Sequence, residues 1–232
     1  MKEMTEIKAF YGPKLAKAAL SLGAIRLRPN DPFTWASGYR MPIYNDNRQL
    51  LAVPEYRALI CSAFADMMEA LKLTDVDNIA GTSTAGIPHA TTLADRLQKP
   101  LSYVRSSAKD HGMGNQIEGL GGDGTYGGKK VLLIEDLIST GSSSIKAVEA
   151  IRAAKGECGT CLAIFSYGLQ KAADAFAALE PVCACHTILE YDTMIRTAIE
   201  TGYVKAEDEE SLRQWRSSPF TWGEEHGFPK KD

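Results

Sequence analysis

The 232-residue sequence predicts an α/β fold, a mostly parallel central sheet flanked by helices and preceded by a small hood. Three observations lead there. Residues 131–134 are an apolar run that reads as a strand buried on both faces, and residues 142–154 carry Ile145, Val148 and Ile151 at helical spacing before Gly156. Further strand-like runs at 78–81, 101–104, 161–165 and 184–189 alternate with helical stretches, the chain order of a parallel sheet covered on both faces. Pro54 opens a segment that places Tyr56, Leu59, Ile60, Ala63, Phe64, Met67 and Leu71 on one broad stripe, as a helix lying on a sheet requires.

Taken in order, the chain begins with a helix to about Leu22. Residues 32–48 are rich in aromatics, Pro, Gly and Asn and lack a helical period, so they form a separate hood or lid. The strand at 78–81 feeds Gly-Thr-Ser-Thr-Ala-Gly-Ile-Pro (81–88), a tight turn, and then a helix over roughly 89–98. Between Val104 and Val131 lie Arg105, Lys109, His111 and eight glycines from Gly112 to Gly128, too flexible a composition for a regular element. Within it Gly119, Gly121 and Gly124 match G-x-G-x-x-G, but that dinucleotide fingerprint must follow a strand and open a helix, whereas here it precedes the strand at 131. Residues 207–216, acidic then basic, read as a solvated helix, and 217–232 as a loosely held tail. The division expected is one domain: helix and hood at 1–50, core at 51–205 with a mobile loop at 105–128, and a carboxyl-terminal helix and tail at 206–232.

With 44% hydrophobic residues and a formal charge of −3, the chain has ample core and no general attraction to nucleic acid. It holds no stretch long and apolar enough for a membrane span, and residues 1–9 lack a secretory core, which predicts a cytoplasmic protein with reduced thiols. Of its five cysteines, Cys158 and Cys161 form C-x-x-C and Cys183 and Cys185 form C-x-C, a conceivable zinc set. Both pairs lie in strand-like runs, and strand alternation would send Cys158 and Cys161 to opposite faces, so small core residues are the better reading. His89, His186 and His226 have no companion pattern and read as packing or surface residues.

The chemistry concentrates at the end of the 131–134 strand. Glu135, Asp136, Leu137, Ile138, Ser139, Thr140, Gly141, Ser142 and Ser143 combine two carboxylates with a hydroxyl-rich turn at a helix start, where backbone N–H groups and the helix dipole favour a phosphate. The pattern G-x-x-x-x-G-K-[ST] appears nowhere and no lysine opens the helix, so the turn is not a nucleoside-triphosphate loop. Carboxylates beside a phosphate repel it unless they hold its uncharged part, such as ribose hydroxyls, or act through a divalent cation. A sugar phosphate satisfies both halves.

This segment, an apolar strand with two acids, two apolar residues and a small hydroxyl turn, resembles the phosphoribosyl-pyrophosphate signature of type I phosphoribosyltransferases. Residues 33–48 resemble the hood motif F-x-x-x-S-G-x-x-x-P-I-Y-x-D-N-R of orotate phosphoribosyltransferases. The 81–88 turn, the pattern R-x-x-x-K-x-H-G from Arg105 and Ile117-Glu118-Gly119 extend that likeness over about 30–190.

The resemblance implies a type I phosphoribosyltransferase fold and transfer of ribose 5-phosphate from phosphoribosyl pyrophosphate to orotate, giving orotidine 5-monophosphate in UMP biosynthesis. It implies Mg2+ held mainly by the substrate rather than directly by protein side chains. It also implies a homodimer in which loop 105–128 completes the neighbouring site. Lys109, Glu135 and Asp136 are then the catalytic candidates. Arg105, Lys109, His111 and residues 135–143 would hold phosphoribosyl pyrophosphate, and Ser139 with the backbone at Ile43 and Tyr44 would hold orotate, with Arg40 or Arg48 supplying charge.

Departures from the family are Ala36, Ala85 and Ser106 where several members have lysines, and the lack of an arginine around residues 167–169. A purine or uracil phosphoribosyltransferase would share the 131–143 segment without needing the hood. A phosphoribosyl-pyrophosphate-sensing regulator would need a helix-turn-helix or basic face, for which the sequence offers little support.

Overall fold

The structure, a computed structural model, describes residues 2–35, 37–107 and 116–231. Helix α1 (Met4–Leu22) ends where Gly23 adopts φ 76° and returns its N–H to the Leu20 carbonyl, the usual left-handed helix stop. Two small antiparallel ribbons follow, β1 (Ile25–Leu27) with β4 (Ile43–Asn45) and β2 (Phe33–Thr34) with β3 (Arg40–Met41), and they are the hood. A 3-10 turn (Asn47–Ala52) leads into α2 (Pro54–Ala70), whose buried stripe includes Ile60, Ala63, Phe64 and Met67 as the spacing predicts.

The central sheet has six strands in the order β10-β9-β8-β5-β6-β7. They are β5 (Asn78–Thr82), β6 (Leu101–Val104), β7 (Ile117–Glu118), β8 (Lys130–Ile138), β9 (Glu157–Ser166) and β10 (Ala184–Glu190). All are parallel except the β7 edge, which runs antiparallel to β6. The order reverses at β5, whose neighbours β6 and β8 come from opposite directions; ligands of such sheets bind beyond the carboxyl ends of strands at this point. On one face lie α1, α2, α3 (Gly86–Leu97) and α6 (Tyr191–Glu200); α4 (Ser142–Ala153) and α5 (Gln170–Ala177) cover the other. Among the described residues no helix is long and apolar enough to cross a membrane.

Four expectations need correction. Strand β8 does not stop at Ile134 but runs to Ile138, so both acids belong to the strand rather than to the turn after it. The 104–131 segment is not wholly irregular. Ile117, 6% exposed, pairs in β7, and Tyr126, 2% exposed, is pinned by a 2.8 Å hydrogen bond between its hydroxyl and that of Ser102, so two apolar anchors fix 116–128 despite their glycines. Cys158 and Cys161 face the same core cluster because β9 bulges between them: Lys130 and Leu132, two apart, pair with Glu157 and Thr160, three apart. All five cysteines are free thiols, and among the described residues no cluster of His, Cys, Asp or Glu could hold a metal.

The fourth correction concerns the carboxyl end. Helix α7 (Glu209–Ser217) buries Leu212 and Trp215 completely, and the short α8 (Trp222–Glu225) buries Trp222. Trp215 packs against Trp35, Tyr167 and Tyr191, and the Lys231 N–H donates to the Gly38 carbonyl at 3.0 Å. Charge pattern hid these anchors, since α7 is polar on every face but one. The carboxyl end is thus a strap across the hood, not a solvated helix with a loose tail.

Candidate active site

Strand alternation divides the acidic pair. Leu133 and Glu135 face α4, while Ile134 and Asp136 face the hood side. Glu135 is 4% exposed and spends its carboxylate on the protein. It accepts from the Thr82 hydroxyl (2.6 Å), the Ser144 hydroxyl (2.9 Å), the Ser143 hydroxyl (3.3 Å) and the Asp136 N–H (3.0 Å). Through these bonds one side chain ties the end of β5, the end of β8 and the first turn of α4 together. Sequence reading did not see Thr82 and Ser144 as its partners, because contacts across strands leave no periodic signal.

Asp136 is half-buried and keeps its carboxylate for the cavity. Burial, and then the neighbouring Glu135, push it up to about 7, because an anion beside another anion in a poorly hydrated place is costly. Its backbone carbonyl accepts a 2.8 Å hydrogen bond from the Asn47 side-chain amide, which fastens the hood to the strand.

Below this point a cavity of about 440 Å³ is lined by Ser83, Thr84, Ala85, Glu135, Asp136, Leu137, Ser139, Thr140, Gly141, Ser142 and Ser143. The two turns that the sequence singled out therefore enclose one space. Gly141 takes φ 81°, a left-handed conformation that costs other residues, and from it α4 starts with its first N–H groups free of helical partners. Gly86 sits where a Cβ would lie 2.5 Å from the Ile134 carbonyl oxygen, so only glycine lets α3 start this close to β8. The Ser83–Thr84 peptide in the first turn is cis. A smaller polar cavity of about 280 Å³ adjoins, lined by Asn45, Asp46, Arg48, Thr84, Ala85 and Asp136. Arg48 enters it paired with Asp46 at 2.6 Å.

Of the other expected residues, Ile138 lies buried beneath the turn, while Leu137, Ser139 and Thr140 are half-buried at its rim. Ile43 is buried, its carbonyl taken by the Trp35 indole N–H at 3.1 Å, and Tyr44 is half-buried with its ring 5.7 Å from that of Phe33. Arg40 turns away from the cavity: it donates to the Pro32 carbonyl at 2.7 Å and lies over the Phe228 ring. Arg105 stands at the end of β6 with its guanidinium 3.4 Å from Glu118. Lys109 and His111, and with them Ala36, lie outside the described residues.

The donor set fits a cation that arrives with its ligand. One acid is already satisfied internally, which leaves Asp136 as a single carboxylate, too few for a protein-held site but enough to touch a cation or a sugar hydroxyl.

Comparison with known proteins shows the family of the chain. Residues 47–202 match the model of the phosphoribosyl transferase domain family. An orotate phosphoribosyltransferase of Bacillus caldolyticus is 47% identical over 209 residues, covering 90% of this chain and 98% of that protein. The crystal structure of orotate phosphoribosyltransferase from Aeropyrum pernix superposes with a TM-score of 0.66 at 30% identity over 82% of this chain and 99% of that one. A structure of the Mycobacterium tuberculosis H37Rv orotate phosphoribosyltransferase in complex with 5-phospho-alpha-D-ribosyl 1-diphosphate shares the fold, with a TM-score of 0.59 at 23% identity over 78% of this chain and 97% of that one. By domain, by sequence and by fold, the chain belongs to the orotate phosphoribosyltransferases, within the phosphoribosyl transferase family.

Proposed function

We propose that the chain transfers the ribose 5-phosphate group of phosphoribosyl pyrophosphate to N1 of orotate, releasing pyrophosphate and forming orotidine 5-monophosphate. The observation that carries this reading is the cavity in which Asp136, the 83–85 turn and the 139–143 turn meet. The 5-phosphate sits on the N–H groups and hydroxyls of residues 139–143 at the start of α4, where the helix dipole favours an anion. Asp136 accepts from the ribose hydroxyls, and the 83–85 turn lies against the pyrophosphate.

In the reaction the C1–oxygen bond to pyrophosphate breaks as the bond from N1 of orotate forms, and the sugar ring is transiently cationic. Asp136 places negative potential beside that ring, and charge stabilisation in a preorganised site is the largest lever available to such a transfer. Mg2+ bound to the pyrophosphate would neutralise the charge that builds on the leaving group. Arg105, Lys109 and His111 are proposed to bring cations to the same group from the loop at 105–128, with the loop of one subunit serving the site of its neighbour in a homodimer.

The direct test incubates the purified protein with Mg2+, phosphoribosyl pyrophosphate and a panel of bases. Loss of orotate absorbance with purines and uracil unused supports the reading, and turnover of another base replaces it. The shared-site proposal has its own test, mixing Lys109→Ala and Asp136→Asn chains under conditions where subunits exchange. Recovered activity supports the crossing loop; continued inactivity refutes it.

A further inference from the structure

Four of the five cysteines lie along one seam of the sheet, between β9 and its edge neighbour β10, and they meet there as two pairs. Cys161 and Cys185 are register partners. Ala184 pairs with Thr160, so Cys183, one residue earlier, comes beside Gly159, which has no side chain to fill the space. The β9 bulge turns Cys158 into the same core cluster as Cys161 and Cys183. Neighbouring strands stand about 4.8 Å apart, inside the roughly 4.4–6.8 Å of Cα separation that a disulfide bridges.

The two pairs differ in their surroundings. Cys161 is fully enclosed, and only its partner Cys185 reaches a cavity. Cys158 and Cys183 are almost enclosed, 2% and 1% exposed, yet each forms part of a cavity wall. Cys158 lines a space of about 700 Å³ at the amino ends of β8 and β9, at the pole opposite Asp136, and Cys183 lines one of about 450 Å³ beside α5, with Val182 bordering both. Arg152 lies on the larger cavity and donates to the Cys158 carbonyl at 2.7 Å, which fixes a guanidinium beside the pair. The Cys158 thiol, and after it the Arg152 charge, hold the Cys183 thiol below its ordinary value against the effect of burial, while contact with Cys183 and then burial push Cys158 up. One sulfur is thus readied as a thiolate nucleophile and the other is kept as the thiol behind it.

We propose that Cys158 and Cys183 are a dithiol modification site, which a low-molecular-weight disulfide oxidises to an intramolecular disulfide. The Cys183 thiolate attacks one sulfur of the reagent, the reagent's S–S bond breaks, and one thiolate leaves. Cys158 then gives its proton to that thiolate and attacks the Cys183 sulfur, displacing the second. Two protein thiols become one disulfide, and the reagent is reduced to two thiols. The new bond staples the edge strand β10 to β9, whichever base the Asp136 cavity accepts.

The test exposes the folded, fully reduced protein to oxidised glutathione, quenches with acid, weighs the intact chain, then alkylates the remaining thiols and maps peptides without reduction by mass spectrometry. The expected result is an intact mass lower by two hydrogens, no glutathione retained, and a peptide pair joined through Cys158 and Cys183. Cys183 should be lost as a free thiol at least roughly tenfold faster than Cys61, whose thiol burial pushes up. In Cys158→Ser the reaction should stop at the mixed disulfide, with glutathione held on Cys183, and in Cys183→Ser the Cys158 thiol should stay reduced. Unmodified protein that stays fully reduced, that keeps glutathione on Cys183, or that forms its first disulfide between Cys161 and Cys185 overturns the proposal, whether or not the variants fold.

Discussion

Glu135 and Asp136 are chemically alike and adjacent, yet the strand gives them different work. Glu135 is consumed by Thr82, Ser143 and Ser144, so its substitution should be felt in stability. Glu135→Ala strands buried hydroxyls and is expected to cost about 1–3 kcal/mol in chemical denaturation. Asp136→Asn should leave stability unharmed and lower kcat by roughly 10² or more, the scale of a lost electrostatic contact in the transition state. The raised Asp136 also predicts a pH profile. In the proposed reaction Asp136 acts as the anion, so kcat/KM, which reports the free enzyme, should fall as pH drops through about 7, and Asp136→Asn should lack that limb. For folding the sign is opposite: a carboxyl raised above its unfolded value favours the fold below that unfolded value, and this contribution is lost as pH rises through about 7. The sequence singled out these two residues but not their different surroundings, because the strand was expected to end at Ile134 and parity therefore was not applied to positions 135 and 136.

Elements with a strong period were legible and those held by scattered anchors were not. Helices α1, α2 and α4 and strands β5 and β6 stand close to where spacing placed them. Helix α3 starts at Gly86, ahead of the expected 89, because glycine at that position lets the turn of the cavity merge into the helix. Helix α6 was not anticipated at all, since its apolar residues Met194, Ile195 and Ala198 follow a strand without a break in composition. The strap at 209–231 was missed because its anchors, Leu212, Trp215 and Trp222, are scattered through an otherwise polar stretch. A solvated helix would tolerate Trp215→Ala, whereas the packing of Trp215 against Trp35, Tyr167 and Tyr191 predicts a loss of about 3–5 kcal/mol in denaturant titration. Stability within error of the parent would mean that the strap does not hold the hood.

At the scale of the molecule, the sheet order explains why two turns distant in sequence share one cavity. Strands β5 and β8 are neighbours at the point where the order reverses, so the turns that leave their carboxyl ends must face each other. Chain order alone suggested that arrangement; the hood's fastening through Asn47 to Asp136, and the strap behind it, leave no pattern in the sequence. Metal should matter to turnover and not to folding. With all cysteines free and no metal cluster among the described residues, a chelator is expected to abolish activity, restored by Mg2+, while leaving the melting temperature unchanged. A fall in melting temperature on chelation would point to a structural metal instead.

The claim on which the account turns is that the sugar and its phosphate lie between Asp136 and the 139–143 turn. A crystal soaked with Mg2+ and phosphoribosyl pyrophosphate tests it most directly. The account predicts the 5-phosphate on the backbone N–H groups at the start of α4 and the ribose hydroxyls at the Asp136 carboxylate. Density for the ligand in any other cavity, with this one filled by solvent alone, would contradict it.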